Sequence, residues 1–335
     1  MMRHLLAPVR RHLERSWFAP ASLVDLSIVR IVVVGTELVS LLAPGPSSLG
    51  RQLWLSGAPA ATFAPLPALK VLLLPVGWGA RPGPMFLHAV WLGALAFGIL
   101  ALLGVYWRLT LALFAAASTL LIAHAYSYGE MHHGQALLVI ALWVLCFAPS
   151  GAALSADAFV ARWRTARRTL RGESLPADDS RFARWPLRLI QWLLALAYLS
   201  AATSKLTMGG LDWLNGYTLA YYLVQDGTIH HNELALLVAR FPAVCALLAA
   251  GALLFELTFS VAVLRPRLAW AYVVVGTVMH TTIYLLQHAV FFQFIALYTV
   301  FLEPLRATLR ARAAGSPREP GGSPTIALVR RESEG

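Results

Sequence analysis

Long, uninterrupted runs of apolar residues dominate the hydrophobic pattern of this chain. Runs such as Ile31–Leu42 and Leu193–Ala202 are continuous and lack the two-residue alternation of a half-buried strand. A helix needs about 20 mainly apolar residues to cross the hydrocarbon core of a bilayer. Eight such segments can be drawn, at residues 22–43, 86–105, 109–126, 135–149, 187–206, 241–263, 268–286 and 288–303. The pattern therefore predicts an all-α integral membrane protein, a polytopic bundle of about eight transmembrane helices.

Composition supports this class. The mean hydropathy is +0.65 and only 13% of the residues are charged, about half the fraction found in soluble domains, which is roughly 25%. The net charge of +11 would indicate a nucleic-acid partner in a soluble protein. Here the arginines lie in the segments between apolar runs, where membrane orientation requires them, so we predict no nucleic-acid binding.

The arginines also orient the predicted helices. They cluster before the first span, between spans four and five, after span six, and beyond span eight, at residues 3–15, 162–184, 265–267 and 306–331. With eight spans, all four clusters fall on one side of the membrane. Because basic loops remain cytoplasmic, we predict a multi-pass protein of the inner (cytoplasmic) membrane with both termini in the cytoplasm.

The same reading divides the chain. Residues 1–20 form a basic cytoplasmic tail and residues 21–303 the membrane domain, while the Arg-, Gly- and Pro-rich residues 304–335 are predicted to be a disordered cytoplasmic tail. Within the membrane domain, residues 45–85 are predicted to form an outer loop and residues 151–185 a basic cytoplasmic loop.

Lys205 is the most unusual candidate for chemistry. Lysine occurs at two positions only, Lys70 and Lys205, and Lys205 lies at the outer end of the fifth predicted span. An ionisable group inside a membrane span usually marks a functional site. The plainer alternative is that the Lys205 side chain extends to the lipid headgroups, as long charged side chains at helix ends do. Burial lowers the pKa of a lysine, so the amine can act as a base. Gln191 and Tyr198 precede Lys205 at intervals of seven, and we expect this helix face to look into the bundle.

Histidines are predicted at the same outer level. His132 and His133 lie in the loop after span three, His280 lies in the outer half of span seven, and His288 begins span eight. We expect Lys205, Tyr198 and His280 to line one closed cavity, with His132 or His133 at its mouth. Two plainer alternatives remain, that the loop histidines are solvated and that His280 makes a structural hydrogen bond. The spacing of these residues does not match known metal motifs, so we predict no metal.

A second polar set lies deeper in the predicted bundle. Arg30 and Glu37 are seven residues apart on span one, and Glu256 is inside span six. Unpaired charges at that depth cost several kcal/mol. We therefore expect these three residues to form a buried, structural ion-pair brace between spans one and six.

Several short motifs carry a family resemblance. They are Asp25-Leu-Ser-Ile-Val-Arg30, Gly104-Val-Tyr-Trp-Arg108, the pair His132-His133, Ser155-Ala-Asp157, Tyr198-Leu-Ser-Ala-Ala-Thr-Ser-Lys205-Leu206 followed by Asp212-Trp213-Leu214-Asn215-Gly216, and His280. In order and spacing they resemble the vitamin K-dependent γ-glutamyl carboxylase family and its bacterial relatives with a horizontally transferred transmembrane (HTTM) domain. The resemblance covers about residues 20–303.

The resemblance implies a membrane lyase that carboxylates a substrate. In the family, the lysine that matches Lys205 deprotonates vitamin K hydroquinone, which reacts with O2 so that a glutamate loses its γ-proton and adds CO2. It implies catalytic roles for Lys205, His132 or His133, and His280. Tyr198, Trp213, Gln191 and His288 are then candidates for binding substrate or cofactor. The expected cofactor is a reduced naphthoquinone, menaquinol or vitamin K hydroquinone, drawn from the membrane lipid, and the expected partner is a small secreted peptide.

Two departures from the family pattern leave other functions open. Ser204 stands where the animal enzymes have a second lysine, and the interval between Lys205 and Trp213 is two residues longer than in the family. One alternative is a non-carboxylating maturation or export factor for a small secreted peptide. The other is a lipid- or anion-binding membrane scaffold in which Lys205 anchors a negatively charged headgroup.

Overall fold

The computed structural model describes residue 14 and residues 16–75, 81–129, 131–169 and 179–306. Most of the predicted terminal tails, the middle of the predicted cytoplasmic loop and Glu130 lie outside these residues. The described helices are α1 Leu23–Leu42, α2 Leu49–Gly57, α3 Pro67–Leu72, α4 Pro84–Leu103, α5 Trp107–Tyr126, α6 His133–Phe147, α7 Ala156–Thr169, α8 Arg184–Gly209, α9 Tyr217–Ile229, α10 Glu233–Ala239, α11 Pro242–Thr258, α12 Ser260–Leu264, α13 Ala269–Gln287 and α14 Phe292–Leu297.

Short 3-10 turns and one two-stranded ribbon complete the described elements. The turns are Ala60–Thr62, Gly210–Leu214, Pro266–Leu268 and Tyr298–Phe301. Strands β1 Ala21–Ser22 and β2 Asp179–Ser180 pair antiparallel. The described part of the chain is thus all-α apart from this ribbon.

Five stretches of the described chain are long and apolar enough to cross a membrane. They are Pro84–Leu103, Trp107–Tyr126, Arg184–Leu214, Pro242–Leu264 and Pro266–Gln287. Helix α1 is 20 residues long, as long as the shortest of these stretches, but it carries Asp25, Arg30 and Glu37, all buried. Helix α6 is apolar but has 15 residues. The predicted class, an all-α membrane protein, is confirmed.

The packing of the long helices suits a lipid surrounding. Helix α4 buries only Leu87, Ala94, Gly98 and Ala101, small residues apart from the leucine, and exposes Leu92 and Ile99 among others. A contiguous apolar surface of this kind is not compatible with water and marks contact with membrane or protein. Helix α1, by contrast, is buried along one side against α4, α6 and α14.

Two predicted loops contain helical structure. Residues 45–85 include α2 and α3, and α2 is fixed to α5 because Gln52 Oε1 accepts a hydrogen bond from His124 Nδ1 at 2.7 Å. Residues 217–239 form the helical hairpin α9–α10, whose small core is built on Leu223, Ala235 and Cys245. Asn232 joins this hairpin to α13 by donating to the Leu285 carbonyl at 2.7 Å.

One end of the bundle gathers segments that are distant in sequence. Arg184 at the start of α8 donates to the carbonyls of Ala19 and Pro20 at 3.0 Å each, and forms an ion pair with Glu303 at 2.8 Å. Asp25 at the start of α1 pairs with Arg306. This end, which also holds the β1–β2 ribbon, is called the arginine-rich end below.

Candidate functional site

The candidate site is built on one face of α8. Gln191 and Tyr198, at intervals of seven before Lys205, are 5% and 3% exposed, whereas Leu196 and Leu199 on the other face are exposed. The predicted orientation of this face toward the bundle interior is therefore correct. Helix α8 extends to Gly209 and ends at Gly210, which adopts a positive φ of 56° that glycine tolerates. The chain then turns back and brings Trp213 close to the end of the helix.

Lys205 forms an ion pair with Glu256 of α11. Its amine donates to Glu256 Oε1, and the two side chains are 27% and 10% exposed. The amine also lies 5.7 Å from the centre of the Trp213 ring, within the range of a cation–π contact. The second carboxylate oxygen, Glu256 Oε2, is buried and has no hydrogen-bond partner among the described residues. The Lys205 amine thus lies between a carboxylate and an aromatic ring.

The expected brace between Arg30 and Glu256 is wrong. Arg30 is fully buried and donates to two backbone carbonyls, to Leu154 at 2.6 Å and to Ala101 at 3.3 Å. These carbonyls, one near the end of α4 and one in the turn before α7, carry partial negative charge. They can therefore accept hydrogen bonds from a guanidinium where no carboxylate is present. Arg30 is buried, as expected, but its partners are backbone groups.

Three of the motifs that carry the family resemblance meet at Arg30. Gly104 ends α4 with a φ of 71°, and a Cβ there would lie 2.3 Å from Ser155 Cβ and 2.5 Å from Arg30 Nη1. Asp157 accepts from the backbone N–H groups of Tyr106 and Trp107, at 3.1 and 3.0 Å, at the start of α5. A carboxylate is favourable at a helix N-terminus. These motifs therefore hold α1, α4, α5 and α7 together and are structural.

Glu37 belongs to a separate buried network of neutral groups. Its carboxylate accepts from the amide of Gln135, which also lies 3.3 Å from Ser47 Oγ and accepts from the Gln293 amide at 3.1 Å. Ser118 is a further neighbour of the carboxylate. None of its described partners is a cation. Glu37 is buried, as predicted, but it is not part of an ion pair with Arg30 or Lys205.

Tyr198 and His280 are in direct contact in the bundle core. The Tyr198 hydroxyl is 2.7 Å from His280 Nε2 and also bonds the hydroxyl of Tyr298. Aromatic rings surround this triad, with the Phe255, Phe259 and Phe294 centres 4.5–5.2 Å from that of Tyr198. His280 is 5% exposed, and its Nδ1 has no partner among the described residues. The expected proximity of Tyr198 and His280 is correct.

The other predicted histidines lie elsewhere. His132 and His133 are exposed at the start of α6, where the backbone of His132 bonds the Tyr126 hydroxyl. Partial burial, followed by the nearby charges of Arg51 and His133, lowers the pKa of His132. His288 stacks on His230, with ring centres 4.7 Å apart, beside the α9–α10 hairpin. Among the described residues, the polar contacts of Lys205 include no histidine.

The predicted shared cavity is replaced by packed side chains. A shallow groove of about 490 Å³ follows α8 along Leu196, Ser200, Thr203 and Thr207, which is the face opposite Lys205. A smaller cavity of about 160 Å³ lies at the arginine-rich end, beside Arg188. Tyr198 lines neither, because the surrounding rings fill its space. Within the described ranges, no three His, Cys, Asp or Glu side chains are grouped closely enough to hold a metal ion.

Two functional candidates were missed by sequence reasoning, Glu256 as the partner of Lys205 and Tyr298 as the third member of the buried triad. Glu256 had been predicted to be buried, and the signal that could have paired it with Lys205 is the antiparallel course of α8 and α11. Tyr298 begins the 3-10 turn that follows α14, and its hydroxyl occupies a space opened by Gly276, where a Cβ would lie 2.2 Å from it. A glycine inside a span was the available signal for this close approach.

Comparison with protein-family models, with curated proteins and with solved structures found no match to this chain. The functional argument therefore rests on the geometry of Lys205, Glu256 and their neighbours.

Proposed function

We propose that the protein is a multi-pass membrane enzyme of the carboxylase type, in which Lys205 and Glu256 form an acid–base pair. The observation that carries the proposal is the ion pair itself, held between α8 and α11 beneath Trp213. A lysine–carboxylate pair in the apolar part of a membrane protein is costly to maintain and marks a functional site by default.

The proposed topology has eight crossings, with the arginine-rich end in the cytoplasm. Contacts at that end support an even number of crossings between successive basic segments, because residues 19–25, 179–184 and 303–306 meet there. The remaining basic segment, residues 265–267, follows α12, and Val263 beside it bonds Arg188 of α8. In this topology α1 and α6 cross in addition to the long apolar stretches, and the charges of α1 face protein. The final crossing is the segment from Phe292 to Arg306.

The pair can exchange a proton without creating a net charge. When the Lys205 proton moves to Glu256, both groups become neutral, and the amine has a free electron pair with which to accept a proton from a substrate hydroxyl. In a low-dielectric setting the neutral and the ionic forms of such a pair are close in free energy, because charge separation there is costly. Lysine, unlike arginine, can take part in this exchange at physiological pH.

The chemical groups around the pair match those that would bind a reduced naphthoquinone. Trp213 offers an aromatic face, the Lys205 amine a donor or base, and Glu256 Oε2 is a buried acceptor without a partner among the described residues. A flat, apolar diol needs such a combination. When bound, a reduced naphthoquinone supplies, with O2, the oxidation that allows a glutamate γ-proton to be removed and CO2 to add.

The ion pair argues against the scaffold alternative. A lysine that anchors an anionic headgroup must offer an uncompensated positive charge, and Glu256 already offsets that of Lys205. We therefore propose that Lys205 transfers protons and that any anion is bound elsewhere in the molecule.

The test is quinol-dependent incorporation of labelled CO2 into a Glu-containing pentapeptide by the purified protein supplied with menaquinol-4 and O2. Lys205→Arg preserves a cation beside Glu256 but removes the base, and should reduce the rate at least about 100-fold. Lys70→Arg is the matched control, since it changes the second lysine, in α3, and should leave the rate unchanged. Failure of the unchanged protein to incorporate label, or full activity of Lys205→Arg, would contradict the proposal.

A further inference from the structure

A separate site is built into the cavity at the arginine-rich end, on residues that the proposed reaction does not use. The cavity, of about 160 Å³, lies between the start of α8, the α12 helix and the segment that follows α14. Arg184, Arg188 and Gln191 form its polar wall, and Leu187, Ala262 and Phe301 are among its apolar residues. Basic and apolar groups thus meet in one recess near the end of the bundle.

Arg188 carries a positive charge that no carboxylate directly neutralises among the described residues. Its Nη1 donates to the Val263 carbonyl at 3.0 Å and to Gln191 Oε1 at 3.2 Å, both neutral acceptors. Its Nε is buried without a hydrogen-bond partner within the described ranges. Gln191 is itself fixed, since its amide donates to the Val300 carbonyl at 2.7 Å. The guanidinium is thus held in place by neutral acceptors, which leave its positive charge in place beside the cavity.

The charge balance of the wall favours an anion. Arg184 is satisfied by Glu303 at 2.8 Å and by the carbonyls of Ala19 and Pro20. The cavity wall has two arginines, Arg184 and Arg188, and one carboxylate, that of Glu303. The net charge of these three side chains is therefore +1. Arg265 and Arg267, on either side of the lining residue Pro266, are exposed and add to the positive potential at the entrance.

The size of the cavity selects a compact group. At about 160 Å³ it is smaller than the ~300 Å³ at which drug-sized ligand pockets begin. A whole quinone or lipid does not fit inside. A tetrahedral phosphate group does, and guanidinium donors bind phosphate oxygens with suitable geometry.

We propose that this cavity binds the phosphate group of an acidic phospholipid, with Arg188 as the principal ligand. The lipid source is favoured over free phosphate because the recess lies at the end of membrane-crossing helices and has apolar walls. Leu264 and Leu268 beside it are 62% and 47% exposed, which provides an apolar surface along which acyl chains can lie. Basic recesses between membrane helices on the cytoplasmic side are suited to such headgroups.

The experiment titrates the purified full-length protein in detergent with phosphatidylglycerol, with phosphatidylcholine, and with inorganic phosphate, and measures the bound lipid by native mass spectrometry. Phosphatidylglycerol should bind in preference to phosphatidylcholine. Arg188→Gln should weaken phosphatidylglycerol binding about tenfold or more, as expected for loss of a charge-assisted hydrogen bond. Arg181→Gln is the matched control, because Arg181 is exposed near the same end and lies over the Phe182 ring, outside the cavity; this variant should bind phosphatidylglycerol as the unchanged protein does.

A second variant covers the case in which Arg188→Gln does not fold. Ala262→Leu extends an apolar side chain into the cavity and removes no hydrogen bond, and should weaken phosphatidylglycerol binding similarly. Unchanged binding in whichever of these two variants folds would overturn the site. Equal affinity for phosphatidylcholine would overturn the assignment to acidic lipid, and displacement of phosphatidylglycerol by an equal concentration of inorganic phosphate would overturn the lipid source.

Discussion

Lys205 of α8 and Glu256 of α11 are ion-paired across antiparallel helices. Arg188 meets Val263 near one end, and Lys205 meets Glu256 further along, which defines the antiparallel course. Helix side chains tilt toward the N-terminus of their own helix. The Lys205 amine therefore points back toward the middle of the bundle and the Glu256 carboxylate points up to meet it.

This pairing predicts that Lys205 contributes to the stability of the fold as well as to the proposed reaction. Lys205→Met should lower the free energy of unfolding by about 3–5 kcal/mol, because it leaves Glu256 as an unpaired, buried carboxylate. The double variant Lys205→Met/Glu256→Gln should recover most of that loss while remaining inactive. Thermal unfolding in detergent measures both. A double variant no more stable than the single one would show that the cost comes from lost packing instead.

The buried triad predicts a stability effect at Tyr198. Tyr198→Phe keeps the ring but removes the hydroxyl that bonds His280 Nε2 and Tyr298. Leaving buried polar groups without a partner costs about 1–3 kcal/mol, so the variant should unfold at a clearly lower temperature. Tyr221→Phe is the control, since Tyr221 is 66% exposed. Equal unfolding temperatures for the two variants would argue that the triad contributes nothing to stability.

Gly104 should be intolerant of a side chain. Gly104→Ala places a methyl group at a backbone φ of 71°, 2.3 Å from Ser155 Cβ and 2.5 Å from Arg30 Nη1. Left-handed strain and overpacking together should cost about 2–4 kcal/mol. Gly50→Ala in α2 is the control, because no heavy atom lies within 4 Å of its Cβ position. Yield and unfolding temperature should fall for the first variant only, and a fall in both would indicate a general effect of Gly replacement.

Glu37 should tolerate a neutral isostere better than truncation. Glu37→Gln retains an acceptor for the Gln135 amide and gains a donor toward Ser118, while it removes the cost of burying a charge. Its stability should equal or exceed that of the unchanged protein. Glu37→Ala removes the acceptor and leaves a cavity, and should lose about 2 kcal/mol or more. If Glu37→Gln unfolds as readily as Glu37→Ala, the carboxylate charge itself is needed.

The hydrophobic pattern of the sequence was sufficient to predict the helices that are apolar along their whole length. The long apolar runs predicted α4, α5, α8, α11 and α13, and the seven-residue interval predicted that Gln191 and Tyr198 face inward. The hairpin α9–α10 was missed because its residues are neither long enough nor apolar enough to stand out from a loop. Its helices are stabilised by contacts with α11 and α13 that only the fold provides.

The site was predictable in part. The proximity of Tyr198 and His280 was predicted because both residues were expected to face the inside of the bundle at a similar level. The partners of Arg30 and Glu256 did not follow, because charge alone cannot distinguish a carboxylate from backbone carbonyls as the acceptor for a guanidinium. His288 was placed in the site by its level in the membrane, but the turn at the end of α13, where His288 has a φ of 54°, directs it to His230 instead.

Helix α1 has a consequence for biogenesis. Its Arg30 and Glu37 are satisfied by Ala101, Leu154 and Gln135, all of which are synthesised later. Until those segments emerge, α1 has charged groups with no acceptor or donor in the lipid, where unsatisfied polar groups are costly. If α1 crosses the membrane as in the proposed topology, it should therefore become stable there only after α4 and α6 have been inserted, so that the order of stable insertion would differ from the order of synthesis.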